Sequence, residues 1–306
     1  MSSTAFGPPF DHADADTILR SSDQVDFPVY RVILSASSSF FKSMFSLPQP
    51  EASVLEKQKP VIDLTENSRT ISIILTLIYP VVSVATEPES LDDMIDACVA
   101  AKKYDMAAVS RRLIQMFTES DIVRDKPVVA FCAAYSHELG EAARVAARAS
   151  LKRRMNLDNL GDMLQHINGP AFHQLYKFHR ACSNTASEVV SGAHLTWITT
   201  GHYTWWSLAN KGCTYACPKY HYTIGPSRSA WEIPAPYHDY ITRAHKVLLE
   251  HPCKEAVTPN YFLYPSYGQK GCSQCQLSAF GLPEFSYLLG EEVERRVSEV
   301  DLVLPF

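Results

Sequence analysis

Eight cysteines and eleven histidines are the side chains of this sequence best suited to chemistry. Cys213 and Cys217 form one close pair, Cys272 and Cys275 a second. Tetrahedral zinc is commonly held this way, because one tight loop can deliver two thiolates to the same ion. Lys211, Gly212, Pro218 and Gly271 supply the turn chemistry around them. His221 and Cys253 are alternate ligands, and the Cys217–His221 spacing also suits a metal. The stretch between the pairs is longer than in common zinc ribbons. Buried thiols packed into an aromatic-rich region therefore stay open as the alternative. A structural zinc is the single cofactor the sequence suggests, and no catalytic residue is assigned.

Enzymatic signatures are otherwise missing. The sequence has no G-x-S-x-G elbow, phosphate-cradling loop, HExxH pair or dinucleotide fingerprint. A Cys–His hydrolase needs a thiolate beside an imidazole. His194, His202, His238 and His245 read as packed or surface histidines, so a Cys–His enzyme is the weakest of the readings. Asp14, Asp16, Asp92, Asp93 and Asp96 cluster, but Asp92 and Asp93 sit where they complement a helix dipole.

Net charge is -5, which predicts no general attraction to nucleic acid or anionic membrane. The cations between Ser191 and Gln276 are too scattered to line a groove for single strands. Lys152-Arg153-Arg154 is the one dense basic run, read as a solvated helix end. Composition is 46% hydrophobic and 20% charged, as in ordinary globular proteins rather than disordered ones. The N-terminal stretch lacks an apolar run, so no signal peptide is expected. Ile71 to Ala85, interrupted by Thr76 and Pro80, is too short for the ~20 residues of a span. An intracellular protein of the cytoplasm or nucleus is expected, with thiols rather than disulfides.

The elements that must position these residues begin at Val29 to Phe45, VYRVILSASSSFFKSMF. It reads as a strand running into a short helical turn. Ser35, Ser37, Ser38 and Ser39 offer N-cap oxygens, and Phe40, Phe41, Met44 and Phe45 share one helical flank. Val29, Val32 and Leu34 read as the apolar entry. Before it, Thr17–Arg20 and Phe27–Val29 form a hairpin; after it, Val61–Leu64 alternates as a strand. Ser68 is placed as the cap of a helix carrying Ile71, Ile74, Leu75 and Ile78, and Ser90 as the cap of one carrying Leu91, Met94, Ile95 and Cys98. Val109, Leu113 and Met116 mark the next helix.

At Arg31, Leu34, Ser35, Ser39, Phe41, Met44 and Phe45 this chain resembles the BTB/POZ family. IYPV (Ile78 to Val81) and AKKYDM (Ala101 to Met106) resemble its fungal branch. Tyr30 stands where the family usually has His. The resemblance implies an α+β fold, with a BTB/POZ domain at 14–118 behind a mobile arm at 1–13. A helical extension at 119–190 and an aromatic- and cysteine-rich, mostly α-helical module at 191–306 are expected to follow. In the extension Val128, Phe131, Cys132 and Tyr135 share a face, Gly140 breaks the run, and Leu157 to Ile167 and Phe172 to His179 mark further helices. The module carries helices at Tyr237–His251 and Pro283–Glu299.

The implied function is non-catalytic protein–protein interaction as an adaptor or scaffold, with self-association through the BTB domain. A zinc-bearing transcription or chromatin regulator is the alternative. Cullin-binding members carry an apolar-x-Glu element after the hallmark helix. This chain has Gln49 where Leu47 would need Glu, and Glu51 follows Pro48 and Pro50. Weak or absent cullin binding is therefore expected, and no strand-exchanged dimer.

Overall fold

A computed structural model describes residues 4–47, 59–79, 87–155, 168–199, 217–268 and 272–306. The chain forms two compact units, Met1–Ala146 and Ala147–Phe306.

The first unit is built on a four-stranded sheet in the order β1-β3-β2-β4. Its strands are β1 (Thr4–Ala5), β2 (Thr17–Arg20), β3 (Val25–Val29) and β4 (Val61–Asp63). The β2–β3 hairpin turns through Gln24 at φ 62°. The Ser21 hydroxyl oxygen accepts from the Val25 N–H at 2.9 Å. The guanidinium of Arg20 clasps its cross-strand neighbour Asp26 through two bonds, 2.7 and 3.0 Å. Strand β4 adds parallel to β2, with Leu19 opposite Ile62.

Residues 4–13 depart from the mobile arm expected of them. Strand β1 pairs parallel with β3, Phe6 stacks on Phe27 at 4.6 Å, and Phe10 meets Tyr79 edge-on at 5.4 Å. Phe10 is only 1% exposed. Two phenylalanines are enough to anchor a Pro- and Gly-bearing segment, because each aromatic ring hides a large apolar area.

After β3 come α1 (Arg31–Ser37) and α2 (Ser39–Ser46), two helices where one turn was expected. The break is at Ser38, whose extended backbone ends α1 and whose hydroxyl caps α2 at the Phe41 N–H, 3.0 Å. Helix α3 (Ser68–Ile78) buries Ile71, Ile74 and Leu75. Its cap is Asn67 rather than Ser68: the Asn67 amide oxygen accepts from the Thr70 N–H, and Ser68 binds Asp23 instead. Ser90 caps α4 (Leu91–Lys103) at the Asp93 N–H, and Met94, Ile95 and Cys98 are buried on that helix. Helix α5 (Ala107–Glu119) buries Val109, Leu113 and Phe117, with Phe117 taking the place expected for Met116. Helices α6 (Asp121–Asp125), α7 (Pro127–Ser136) and α8 (Gly140–Ser150) follow. The break lies at His137–Leu139, where Glu138 has φ 53°, and Gly140 opens the next helix. The division between the units falls inside α8.

The second unit packs α9 (Gly169–Glu188), α10 (Ala235–Glu250) and α13 (Leu282–Ser298), with the shorter α11 (Asn260–Tyr267) and α12 (Ser273–Ser278). The helix marked by Leu157, Leu160, Leu164 and Ile167 lies outside the described residues. The core is aromatic. Tyr237 and Tyr240 both meet Phe285 edge-on at 5.7 Å, and all three are fully buried. Each phenol still donates to a carbonyl, Tyr237 to Ser278 at 3.1 Å and Tyr240 to Val257 at 2.9 Å, so burial strands neither hydroxyl.

This unit also holds a sheet that helical periodicity does not announce: β5 (His194–Leu195), β6 (Tyr220–Ile224) and β7 (Ser229–Ile233), in that order. Tyr222, Ile224 and Ile233 face inward, and the hairpin turns through Gly225 and Arg228, both at positive φ. The signal was present as a short alternating run followed by Gly225-Pro226. Among the described residues no helix is long and apolar enough to cross a membrane.

Candidate functional site

The hallmark residues divide into those that build the first unit and those that face outward. Arg31 is a builder. Its backbone N–H donates to Asp16 and its Nε to Thr17 Oγ1, both at 2.8 Å, while the guanidinium lies 5.3 Å over the Phe45 ring. One cation thereby ties the start of β2 to the end of α2. Tyr30, standing in for the family's His, donates its hydroxyl to Asp14 at 2.7 Å. That bond holds the Asp14 carboxyl below its usual range and pushes the phenol up to about 12. Asp14 and Asp16 are therefore acceptors for structure.

Phe41 occupies the centre. It converges with Leu19, Leu34, Ile74 and Leu75, and stacks on Tyr104 at 5.0 Å. Ser38 donates to the Tyr104 carbonyl at 2.5 Å, and Ser39 bonds Asp105, which sits at φ 49°. The Tyr104 phenol in turn bonds Glu66, which also receives Lys103 at 2.8 Å. These partners hold the Glu66 carboxyl below its usual range despite burial.

The rest of the apolar flank is not core. Met44, Phe45 and Ile78 are half-buried, not buried with Phe41 as the spacing predicts. Val32 is 72% exposed, Leu47 62% and Phe40 44%. Val32 sits in α1, where the helical turn points it away from Leu34. Helices α1 and α2 and the residue after α2 thus each expose a large apolar side chain. A cleft of about 330 Å³ lies elsewhere in the same unit, between α4, α5 and the turn before α8, lined by Ala101, Met106, Ile114 and Leu139 with Lys102 and Glu138.

In the second unit the structure brings three of the four cysteines expected to bind metal into one place. The sulfurs of Cys217, Cys272 and Cys275 lie within 4.8 Å of one another. The Cys272 N–H donates to Cys217 Sγ at 3.3 Å. Cys213 lies outside the described residues. Neither alternate joins the cluster: His221 is an exposed strand residue and Cys253 is buried at a helical turn.

The remaining candidates are accounted for locally. His238 stacks on Tyr220 at 3.7 Å and meets the Tyr222 hydroxyl at 3.0 Å. His245 meets the Ser187 carbonyl at 3.2 Å and His194 bonds Thr223, while His202 lies outside the described residues. Asp93 binds Arg69 at 3.3 Å. Burial pushes the Cys98 and Cys182 thiols up to about 12 and Cys253 to about 11, so all three stay protonated at neutral pH.

Residues 8–121 match the family model of the BTB/POZ domain. This places a BTB/POZ domain at the N-terminus of an α+β, mostly helical chain. Domains of this kind are protein–protein interaction modules and typically carry no catalysis. No curated protein matches the chain.

Proposed function

We propose, from the BTB/POZ domain at residues 8–121 as premise, that this chain is a non-catalytic adaptor or scaffold that docks proteins through its first unit. The observation that carries the reading is the exposure of large apolar side chains along α1, α2 and the residue that follows: Val32, Phe40 and Leu47. Exposed apolar side chains mark interaction surfaces where they join into a contiguous patch. Self-association through these side chains is the first use we assign to them. It needs no exchanged N-terminal strand, and β1 is already paired with β3 of its own chain. Residues 14–118 are read as the docking module, 119–190 as a helical spacer, and 191–306 as a module with a separate role.

Sedimentation equilibrium of the full chain tests this. A mass that rises with concentration is expected, and Val32→Asp together with Leu47→Asp should return it to the monomer without lowering the melting temperature. A mass that stays monomeric, or one unmoved by both substitutions, would overturn self-association through these side chains.

A further inference from the structure

We propose that the second unit contains a structural zinc site at Cys217, Cys272 and Cys275. A tetrahedron with zinc–sulfur arms of ~2.3 Å has sulfur–sulfur edges of ~3.8 Å. The three sulfurs lie within 4.8 Å of one another, so a small contraction closes them on one ion.

Thiol packing alone does not explain the cluster. A cysteine used as a small hydrophobe goes into the core. Cys98, Cys132 and Cys182 do so, each buried on a helix, as Cys275 is. Cys217 and Cys272, by contrast, are only half-buried, and both lie in irregular chain, just ahead of β6 and α12. The N–H of Cys272 donates to Cys217 Sγ at 3.3 Å, so the two segments already meet at that sulfur. Cys272 caps α12 and Cys275 falls in its first turn, so one turn of chain presents both sulfurs to the same side.

The ion would fasten the lead-in of β6 to the lead-in of α12 across 55 positions of sequence. A cross-link that closes so long a loop removes much of the unfolded chain's freedom. Three thiolates leave one tetrahedral position. Placed between two lead-in segments of chain, the ion serves as a cross-link.

The test uses the full chain, purified under reducing conditions without added metal. Elemental analysis should find about one equivalent of zinc. A mercurial that caps thiols should release that zinc to a chromogenic chelator in step with cysteine modification. Cobalt exchanged into the site should show the intense visible bands of tetrahedral thiolate coordination. Cys272→Ser and Cys275→Ser should each lose the metal. The chelated chain should expose the segments around Cys217 and Cys272 to protease while residues 8–121 stay resistant. Metal-free protein with the same protease resistance would overturn the proposal. So would zinc retained in both serine variants, or a disulfide between two of these cysteines in the purified chain. The mercurial and cobalt readings use the unsubstituted chain, so they decide the matter even if a variant fails to fold.

Discussion

The Phe41 ring stacks on Tyr104 with centroids 5.0 Å apart and planes 27° from parallel, joining the hallmark helix to the end of α4. Phe41 is 1% exposed and Leu34 beside it fully buried. Phe41→Ala removes a ring buried among Leu19, Leu34, Ile74 and Leu75. It should cost the first unit about 3–5 kcal/mol. Chemical denaturation of the full chain measures this, and a cost under ~1 kcal/mol would contradict the central place given to this ring.

Ser38 makes two bonds that serve different ends: it caps α2 and donates to the Tyr104 carbonyl. Ser38→Ala loses the cap, and loses the donor to a buried acceptor as well. Destabilisation of about 1–3 kcal/mol is expected. Ser35→Ala is the control. If both substitutions cost the same, the double role of Ser38 is refuted.

Removing residues 1–13 should destabilise the first unit by several kcal/mol, because Phe6 and Phe10 leave Phe27 and Tyr79 uncovered. A truly mobile arm would come away at no cost. The melting temperature of the truncated chain separates the two outcomes.

Gly290, inside α13, offers a sharper test of packing. A Cβ there would come 2.7 Å from Thr258 Cγ2 and 3.2 Å from Lys254 Cβ. Thr258 is itself fixed by its bond to the Lys254 carbonyl at 3.1 Å. In an open helix Gly→Ala would stabilise by ~1 kcal/mol. Here the clash should dominate, and Gly290→Ala should destabilise by about 1–3 kcal/mol. Increased stability would show that the segment gives way easily.

Acidification should weaken the second unit through His179. This ring is 5% exposed, and burial holds its pKa below the ordinary value. Its Nε2 faces the Arg153 carbonyl at 3.3 Å and its Nδ1 the Ser183 hydroxyl at 3.4 Å, partners that suit the neutral ring. The unfolded chain therefore takes up its proton first. The stability from keeping this ring neutral is whole above the unfolded pKa of about 6.5 and is lost as pH falls from there towards the lowered folded value. The partly buried His238 acts with the same sign. Glu66, Glu255 and Glu292 have lowered pKa values and titrate in a more acidic range. Unfolding curves between pH 7 and pH 5 should thus flatten in His179→Gln; an unchanged slope would count against the assignment.

The sequence by itself determined what local periodicity controls. Ile71, Ile74 and Leu75 in α3, Met94, Ile95 and Cys98 in α4, and Phe285, Leu289 and Val293 in α13 are spaced for one helical face and are buried on it. The order of these elements, with the Arg31-to-Phe45 hallmark, was enough to identify the N-terminal domain. Tertiary structure decided what spacing leaves open. Ser38 split one expected helical turn into two helices, because its hydroxyl could satisfy both the Phe41 N–H and the distant Tyr104 carbonyl. Val32 is exposed in α1, and Phe41, rather than the whole flank, lies in the core. Phe10 looked like part of a loose tail because its partner Tyr79 is far along the chain. The cysteines show the same limit. Two short-range pairs can be read from sequence, but whether their sulfurs meet depends on long-range packing. The fold brings Cys217 to Cys272 and Cys275, and leaves Cys253 in a core where its thiol stays protonated.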